Sequence, residues 1–203
     1  DTSGWIVPCG CTSNQSGGLS RRGTFVRQER AKHDVVLLDV GGAATGTSAY
    51  DRTKFESILD GELLMGVAAH NLGGPELACG VSYLRQVAAR NEIPFVSANT
   101  SDYAGKTIVE AYRLVRTGFQ RLAIVGVVSP RFASPDCRVS DPQAAVLAIR
   151  EKLAGTFDAL VVLAYLPDDE LRTFAAALPE ADIVLGGPTG QSIAPVQIGP
   201  VLM

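Results

Sequence analysis

The sequence contains few histidines, has only a small net charge and lacks long apolar runs. Two histidines in 203 residues leave few imidazoles from which a metal site could be built. A net charge of −3 provides neither the basic face that binds nucleic-acid polymers nor one that binds an anionic membrane surface. No apolar run approaches the ~20 residues of a membrane-spanning helix, so no transmembrane segment is predicted.

What remains is the composition of a globular domain. Apolar residues make up 46% of the chain and charged residues 19%. A chain of 203 residues is most simply one domain with a sizeable core, so we expect a single domain over residues 1–203. The chain starts at Asp1 without an initiator Met, and no signal peptide is visible. We expect a leader that has been removed, and a domain that could be truncated at both ends.

Short apolar runs alternate with helical patterns, which favours a mostly parallel sheet. The run Val35-Val36-Leu37-Leu38 does not alternate, as is typical of a strand that is covered on both faces. Residues 107–116 and 121–129 flank a short turn that contains Gly118 and read as a hairpin, which indicates a second sheet and a β-sandwich flanked by helices. The other predicted strands are 67–70, 95–99, 159–163 and 183–185, and the predicted helices are 19–32, 50–65, 81–90, 142–153 and 168–178.

Polar residues and glycine turns follow the predicted strands. The run that ends at His70 is followed by the turn Gly73-Gly74-Pro75, with Glu76 just beyond it. The carboxyl ends of parallel strands meet at one edge of a sheet, so we expect these loops to converge near Glu76. The other residues placed in this way are Asp39, Asn99, Tyr165 and Gly186-Gly187.

The order of these motifs resembles the catalytic domain of the 5′-nucleotidases, a family of calcineurin-like metallophosphoesterases. The similarity covers nearly the whole chain and is most like the UshA-like branch, which carries a Cys-Gly-Cys as Cys9-Gly10-Cys11 does here. The motifs that carry it are Asp1-Thr2-Ser3-Gly4, Gly17-Gly18-Leu19-Ser20-Arg21-Arg22, Leu37-Leu38-Asp39-Val40-Gly41-Gly42, Gly73-Gly74-Pro75-Glu76-Leu77, Ile93-Pro94-Phe95-Val96-Ser97-Ala98-Asn99, Ile124-Val125-Gly126-Val127-Val128-Ser129-Pro130, Val161-Val162-Leu163-Ala164-Tyr165-Leu166 and Asp182-Ile183-Val184-Leu185-Gly186-Gly187.

The resemblance implies a four-layer α/β/β/α sandwich with mixed sheets and a periplasmic or extracellular location. It also implies a substrate domain beyond the residues given, so a fused or associated domain is the partner we expect, and no nucleic-acid polymer. The family's chemistry uses two metal ions that clamp a phosphate and activate a water. Its ligands come from the motifs Asp-x-His, Gly-Asp, Gly-Asn-His-Asp/Glu, a lone His and Gly-His-x-His.

Nearly all of these ligand positions carry other residues here. Asp1 and Glu76 match the family's acidic positions. Because carboxylates and imidazoles are the groups that hold zinc or manganese, the other positions no longer suit a metal. The replaced positions are Ser3 for the first His, Gly42 for the bridging Asp, Gly74 and Pro75 for Asn-His, Tyr165 for the lone His, and Pro188 and Gly190 for the last two His.

Other residues could rebuild a site or could be structural. His70 lies just before the glycine turn, and we favour a histidine at the core edge that bonds a backbone carbonyl over a ligand. Asp39 reads more simply as a strand-end carboxylate that caps a loop. For Glu76 we favour a structural or supporting role. Arg21 and Arg22 open a helix and could bind an anion, although a solvated helix face is the simpler interpretation.

Cys9 and Cys11 are the remaining candidates. Two thiolates this close could hold a soft metal or form a redox pair, but they could equally be small buried residues or halves of separate disulfides. Links from Cys9 to Cys79 or from Cys11 to Cys137 are open alternatives in an oxidising compartment.

Three hypotheses follow. The first is a metallophosphoesterase-fold domain without the dinuclear site, a pseudoenzyme that binds or supports other parts and needs no cofactor. The second is a metal-dependent phosphoric-ester (nucleotide) hydrolase with a rebuilt Zn or Mn site. The third is redox or soft-metal chemistry at Cys9 and Cys11. The residues of the rebuilt site would be Asp1, Asp39, His70, Glu76 and Asn99.

Overall fold

A computed structural model describes residues 3–8, 17–188 and 194–203, without the side chain of Asn91. Two of the longer helices have side-chain caps at their N-termini. Ser48 and Asp51 form a reciprocal capping box at one helix, and Asp141 caps another whose first residue is Pro142. The helices are α1 Leu19–Arg30, α2 Ala49–Leu64, α3 Gly74–Ala78, α4 Val81–Asn91, α5 Pro142–Lys152 and α6 Asp168–Ala176, with a 3₁₀ turn at Pro130–Phe132.

The strands are short except in the centre of the larger sheet. The sequence predicted most of them, with differences at their ends. The described strands are β1 Leu37–Asp39, β2 Val67–Asn71, β3 Phe95–Val96, β4 Thr100–Ser101, β5 Tyr112–Thr117, β6 Gln120–Val128, β7 Arg138–Val139, β8 Ala159–Tyr165, β9 Ile183–Gly187, β10 Gln197–Ile198 and β11 Val201–Leu202.

The strands form two main sheets, and a two-stranded pair β4–β7 stands apart from them. The smaller sheet is parallel with the order β1-β2-β3, and Asp39 lies opposite His70 in its register. The larger sheet has the order β10-β11-β9-β8-β6-β5. Its strands β6, β8, β9 and β11 are parallel, while β5 and β10 pair antiparallel. The predicted hairpin is the pair β5–β6, so the predicted second, mixed sheet is confirmed.

Three apolar clusters show how the elements pack. One joins α2 and α4 to the small sheet around Phe55 and Leu84, and another joins α5 and α6 to the large sheet around Val146 and Phe174. The third, around Ile124, contains residues of both sheets. The mixed α/β class is confirmed, and the full four-layer arrangement stays a prediction.

Two details of the sequence prediction were wrong. The glycine turn opens the short helix α3, because Pro75 suits a first turn and Glu76 accepts the N–H of Gly73. The strand predicted over 95–99 is only Phe95–Val96 (β3), and the Asn99 side chain hydrogen-bonds the backbone of Val128 and Ser140. The structure also contains elements that the sequence did not predict, including the 3₁₀ turn Pro130–Phe132 and the strands β10 and β11.

Candidate functional site

Glu76 ties together the loops at the carboxyl ends of the small sheet. Its Oε2 accepts the backbone N–H groups of Gly42 and Gly73, both at 2.9 Å, and its Oε1 accepts that of Ala44 at 2.9 Å. The side chain is fully buried. Both carboxylate oxygens therefore hold the backbone, since buried polar groups need such partners.

The ring of Tyr165 lies against the glycines of two loops. A Cβ added to Gly42 would stand 3.0 Å from Tyr165 Cε2, and one added to Gly73 would stand 2.7 Å from the same atom. Gly42 also has φ +87°, which side chains other than glycine rarely adopt. The loops can approach the ring this closely because neither glycine carries a side chain. Burial and the Glu76 charge raise the pKa of the Tyr165 phenol to about 12, so it is neutral.

Phe132, from the 3₁₀ turn, covers the next glycine. A Cβ at Gly74 would come within 2.5 Å of Phe132 Cδ1. The two aromatic rings meet edge to face, with centroids 5.2 Å apart and planes at 63°. Ion pairs from the neighbouring Arg131 to Asp169 and Glu170 connect this turn to α6.

The residues described here do not fit a dinuclear metal centre. The groups at the predicted ligand positions that the structure describes are a serine, two glycines, two prolines, a neutral phenol and a carboxylate that backbone donors already occupy. None except Glu76 is a usual ligand for zinc or manganese. Asp1 and Gly190 lie outside the described residues.

A second polar group is buried beside these loops, and its charges come from four elements. Asp39 ends β1, Glu62 lies on the buried face of α2, and His70 lies in β2. All three are 0% exposed. Arg22 reaches them from α1, with its side chain 22% exposed. We call these four residues the charged cluster.

Every carboxylate oxygen of the charged cluster has a hydrogen-bond donor. Arg22 Nη1 donates to Asp39 Oδ2 at 2.9 Å and to Glu62 Oε1 at 2.8 Å. The N–H of Gly41 donates to Asp39 Oδ1 at 2.9 Å, and His70 Nδ1 lies 2.6 Å from Glu62 Oε2. His70 Nε2 is buried without a partner among the described residues.

Burial and the neighbouring charges shift the pKa values of the two carboxyl groups in the charged cluster in opposite directions. Burial alone would lower the pKa of His70, but the charges of Glu62 and Asp39 outweigh burial and raise the pKa to about 9. Burial would raise the pKa of Asp39, but His70 and Arg22 hold it well below its usual range. Burial raises the pKa of Glu62, and the charge of His70 opposes that rise. Two basic groups therefore lie against two acidic groups inside the protein, and each acidic group is hydrogen-bonded to a basic one.

The charged cluster also contains a possible metal site. The ligand atoms of Asp39, Glu62 and His70 all lie within 4.8 Å of one another, and among the described residues no other group of three or more such side chains does so. However, an ion would have to displace Arg22 and the Nδ1 proton of His70, because these donors occupy the oxygens. As it stands, the donor set fits an internal ion-pair network and does not fit a metal.

Of the four proposed rebuilt-site residues that the structure describes, it brings Asp39 and His70 together in the charged cluster. Asn99 instead donates to the carbonyls of Val128 and Ser140 and accepts the Val128 N–H, so it clamps backbone. Two interpretations need correction, because His70 bonds a carboxylate rather than a backbone carbonyl, and Arg22 binds internal anions rather than solvent.

The remaining candidates are less informative. Arg21 is exposed. Cys9 and Cys11 lie outside the described residues, so the thiol hypothesis stays a prediction. Cys79 and Cys137, the suggested disulfide partners, are free and buried. Burial, with smaller contributions from nearby acidic groups, raises both thiol pKa values to about 11, so neither is a reactive thiolate.

Sequence reasoning missed Glu62 and Phe132. A signal for Glu62 was present, because it lies seven residues after Phe55 and therefore on the same apolar face of α2. A charged residue on such a face needs a buried partner. Phe132 had no comparable signal, because it lies in an irregular segment.

Comparison with known proteins identifies the fold. No protein-family model matches the chain. Over 126 residues it is 29% identical to the snake venom 5′-nucleotidase of Naja atra, a match that covers 57% of this chain and 23% of that enzyme. The venom enzyme of Gloydius brevicauda matches similarly, at 29% identity over 126 residues. The chain thus spans less than a quarter of the length of these relatives.

Solved structures agree. A 5′-nucleotidase precursor from Thermus thermophilus superposes with a TM-score of 0.77 at 23% identity, covering 92% of this chain and 39% of that one. A calcineurin-like phosphoesterase from Bacillus subtilis gives a TM-score of 0.71 at 16% identity, covering 92% and 72%. The resemblance to 5′-nucleotidases and calcineurin-like phosphoesterases is therefore confirmed at the level of fold, whereas the Cys-Gly-Cys branch stays a prediction.

Proposed function

We propose that this chain is a 5′-nucleotidase-like metallophosphoesterase-fold domain that does not hydrolyse phosphate esters and serves as a binding or structural module. The observation that carries the proposal is the contact of Tyr165 with Gly42 and Gly73. The ring occupies the space beside the position where the resemblance puts the bridging aspartate. A two-metal mechanism needs that ligand and room for a phosphate between the ions.

The role of Glu76 also supports the proposal. In a working centre an acidic residue in this motif would support a neighbouring ligand, but its neighbour here is Pro75. Its carboxylate instead accepts three backbone N–H groups. The residue keeps its structural use, and the ligand beside it is gone.

A hydrolysis assay tests the proposal. The purified chain would be incubated with Mn²⁺ or Zn²⁺ and with bis-p-nitrophenyl phosphate or a nucleoside monophosphate, and p-nitrophenolate or phosphate release would be measured. We expect no metal-dependent release above that of a mock preparation. Release that saturates with substrate and falls in the Glu76→Gln variant, with folding unchanged, would overturn the proposal.

The phosphoesterase with a rebuilt site is not favoured, because Arg22 and backbone donors already satisfy the groups that it would use. A module of this kind acts beside another domain, so we propose a fused or associated domain as its partner. An exported location is proposed from the resemblance and from the venom relatives. No helix among the described residues is long and apolar enough to cross a membrane.

A further inference from the structure

The position of Arg22 in the charged cluster is unusual for an arginine on a mostly exposed helix. A single nitrogen, Nη1, donates to carboxylates from two different elements, Asp39 Oδ2 and Glu62 Oε1. The other terminal nitrogen, Nη2, points to the Leu38 carbonyl at 3.4 Å. One cationic atom thus stands between two buried carboxylates, where a bridging metal ion would stand.

We propose that the Arg22 guanidinium fills the cation position of a latent three-ligand metal site formed by Asp39, Glu62 and His70. While Arg22 is in place the charged cluster takes no divalent ion. When the guanidinium is removed, the three side chains bind Zn²⁺. The proposal concerns a different set of residues from the Tyr165 loops and does not depend on the proposed function.

Charge balance favours this exchange. The Arg22 guanidinium is a cation held against the carboxyl groups of Asp39 and Glu62. A Zn²⁺ ion would take its place as the positive charge, and any proton on His70 Nδ1 would be released as the imidazole becomes a ligand. Imidazole nitrogen and carboxylate oxygen are both zinc ligands, and three protein ligands leave a fourth position of the tetrahedron open.

Access and ligand freedom also favour it. Arg22 lines a solvent-open cavity of about 470 Å³, together with Trp5, Arg21 and Phe25, so an ion can reach the place that the guanidinium leaves. The His70 ring is hydrogen-bonded at Nδ1 alone, because Nε2 has no partner among the described residues. The Glu62 contact therefore orients the imidazole, and small ring movements toward an ion break no other hydrogen bond.

The test compares Zn²⁺ binding by variants in a Cys9→Ser/Cys11→Ser background, so that thiols do not contribute. Thermal unfolding and zinc per chain after desalting would be measured with and without EDTA for the parent, Arg22→Ala and Arg22→Ala/His70→Gln. We expect the parent to hold no zinc and to unfold at the same temperature in both conditions. Arg22→Ala should hold about one zinc, with unfolding raised by roughly 5–10 °C when zinc is at 100 times Kd. The double variant should hold none.

Other outcomes decide against the proposal. Zinc bound to the parent and lost in its His70→Gln variant would show that Arg22 does not block the site. Zinc-free Arg22→Ala, if folded, would show that the three side chains cannot converge on an ion. If Arg22→Ala is unfolded in EDTA, folding on zinc addition supports the proposal. Arg22→Met, which keeps the apolar stem, is then the second variant. Failure of both to fold with zinc overturns it.

Discussion

Two neighbouring regions of this molecule, the aromatic-covered loops and the charged cluster, are built in opposite ways. Asp39 lies three positions before Gly42, and His70 three positions before Gly73. The earlier position of each pair carries a buried titratable group that is hydrogen-bonded within the charged cluster. The later position carries no side chain and lies against Tyr165. Charged groups therefore lie inside the fold at the strand ends, while Gly42 and Gly73 in the following loops carry no side chain.

The two regions therefore differ in the kind of substitution that should destabilise the protein. Removing one partner from a buried ion-pair network strongly destabilises the folded protein, because the remaining charge is left buried and unpaired. Where aromatic rings pack against glycines, adding atoms is what destabilises the folded protein, because the space is already filled. Substitutions that remove charge from one region, or add atoms to the other, should therefore have distinct and measurable effects.

The largest effect is expected from Glu62→Gln, which keeps the size of the side chain and removes its charge. Arg22 and His70 then lose their shared anion inside the protein, and we expect the free energy of unfolding to fall by about 3 kcal/mol. Urea denaturation measures this. Glu29→Gln, which removes an exposed partner of Lys32, is the control and should cost less than about 0.5 kcal/mol. Equal small losses in both would show that the charged cluster contributes little.

The pH dependence of stability should be nearly as large. The pKa of His70 is about 9 in the folded protein against 6.5 as its ordinary value. Its contribution is therefore complete below pH 6.5 and is lost as the pH rises through 9. At about 1.4 kcal/mol per pKa unit, the decline in stability between these values is at most roughly 3 kcal/mol.

Denaturation at a series of pH values measures this decline. The His70→Gln variant should be less stable at pH 6 but should show a flatter profile over the same range. A parent whose stability is constant from pH 6.5 to 9 would contradict a protonated His70.

Filling the space beside Tyr165 should have a smaller effect. In Gly73→Ala the new methyl would stand 2.7 Å from Tyr165 Cε2 and 2.8 Å from Glu76 Oε2, so we expect a loss of about 2 kcal/mol. The matched control is Gly23→Ala within α1, whose nearest atom would be Met65 Sδ at 3.6 Å. This control should gain about 0.5 kcal/mol or more, because alanine favours a helix. Thermal unfolding of both variants gives the comparison, and a neutral Gly73→Ala would mean that the ring yields easily.

The smallest effect should come from Tyr165→Phe. Tyr165 is 5% exposed, its hydroxyl has no hydrogen-bond partner among the described residues, and its ring carbon Cε2 makes the closest approach to Gly42 and Gly73. We expect a change within about 0.5 kcal/mol by urea denaturation.

Tyr165→His, which places an imidazole at the position of the family's lone His, should still take up no metal. Metal uptake by that variant would show that the loops still present a ligand set.

The fold was largely predictable from the sequence. Non-alternating apolar runs indicated covered strands, and the segment around Gly118 indicated the hairpin that turns one sheet into a mixed one. The short strands β4, β7, β10 and β11 were not predictable, because two-residue pairings depend on neighbours distant in the chain rather than on a local pattern.

The sites were predictable only in part. Asp39 and His70 were both named as candidates, and adjacent parallel strands could have suggested that they pair. Their partners Arg22 and Glu62 come from helices, and which helix faces a strand end depends on packing that the sequence pattern does not specify. The glycines of the loops could be read from the sequence. The ring that packs against Gly42 and Gly73 belongs to Tyr165, which lies far along the chain.

The most direct test of the account is the metal content of the unmodified chain. The protein would be purified without chelator, incubated with Zn²⁺ and Mn²⁺, desalted and analysed for bound metal, with a Cys9→Ser/Cys11→Ser variant measured in parallel. The account predicts essentially no metal in that variant, because aromatic rings fill the loops and Arg22 fills the charged cluster. About two ions per chain in both proteins, accompanied by phosphoesterase activity, would contradict it.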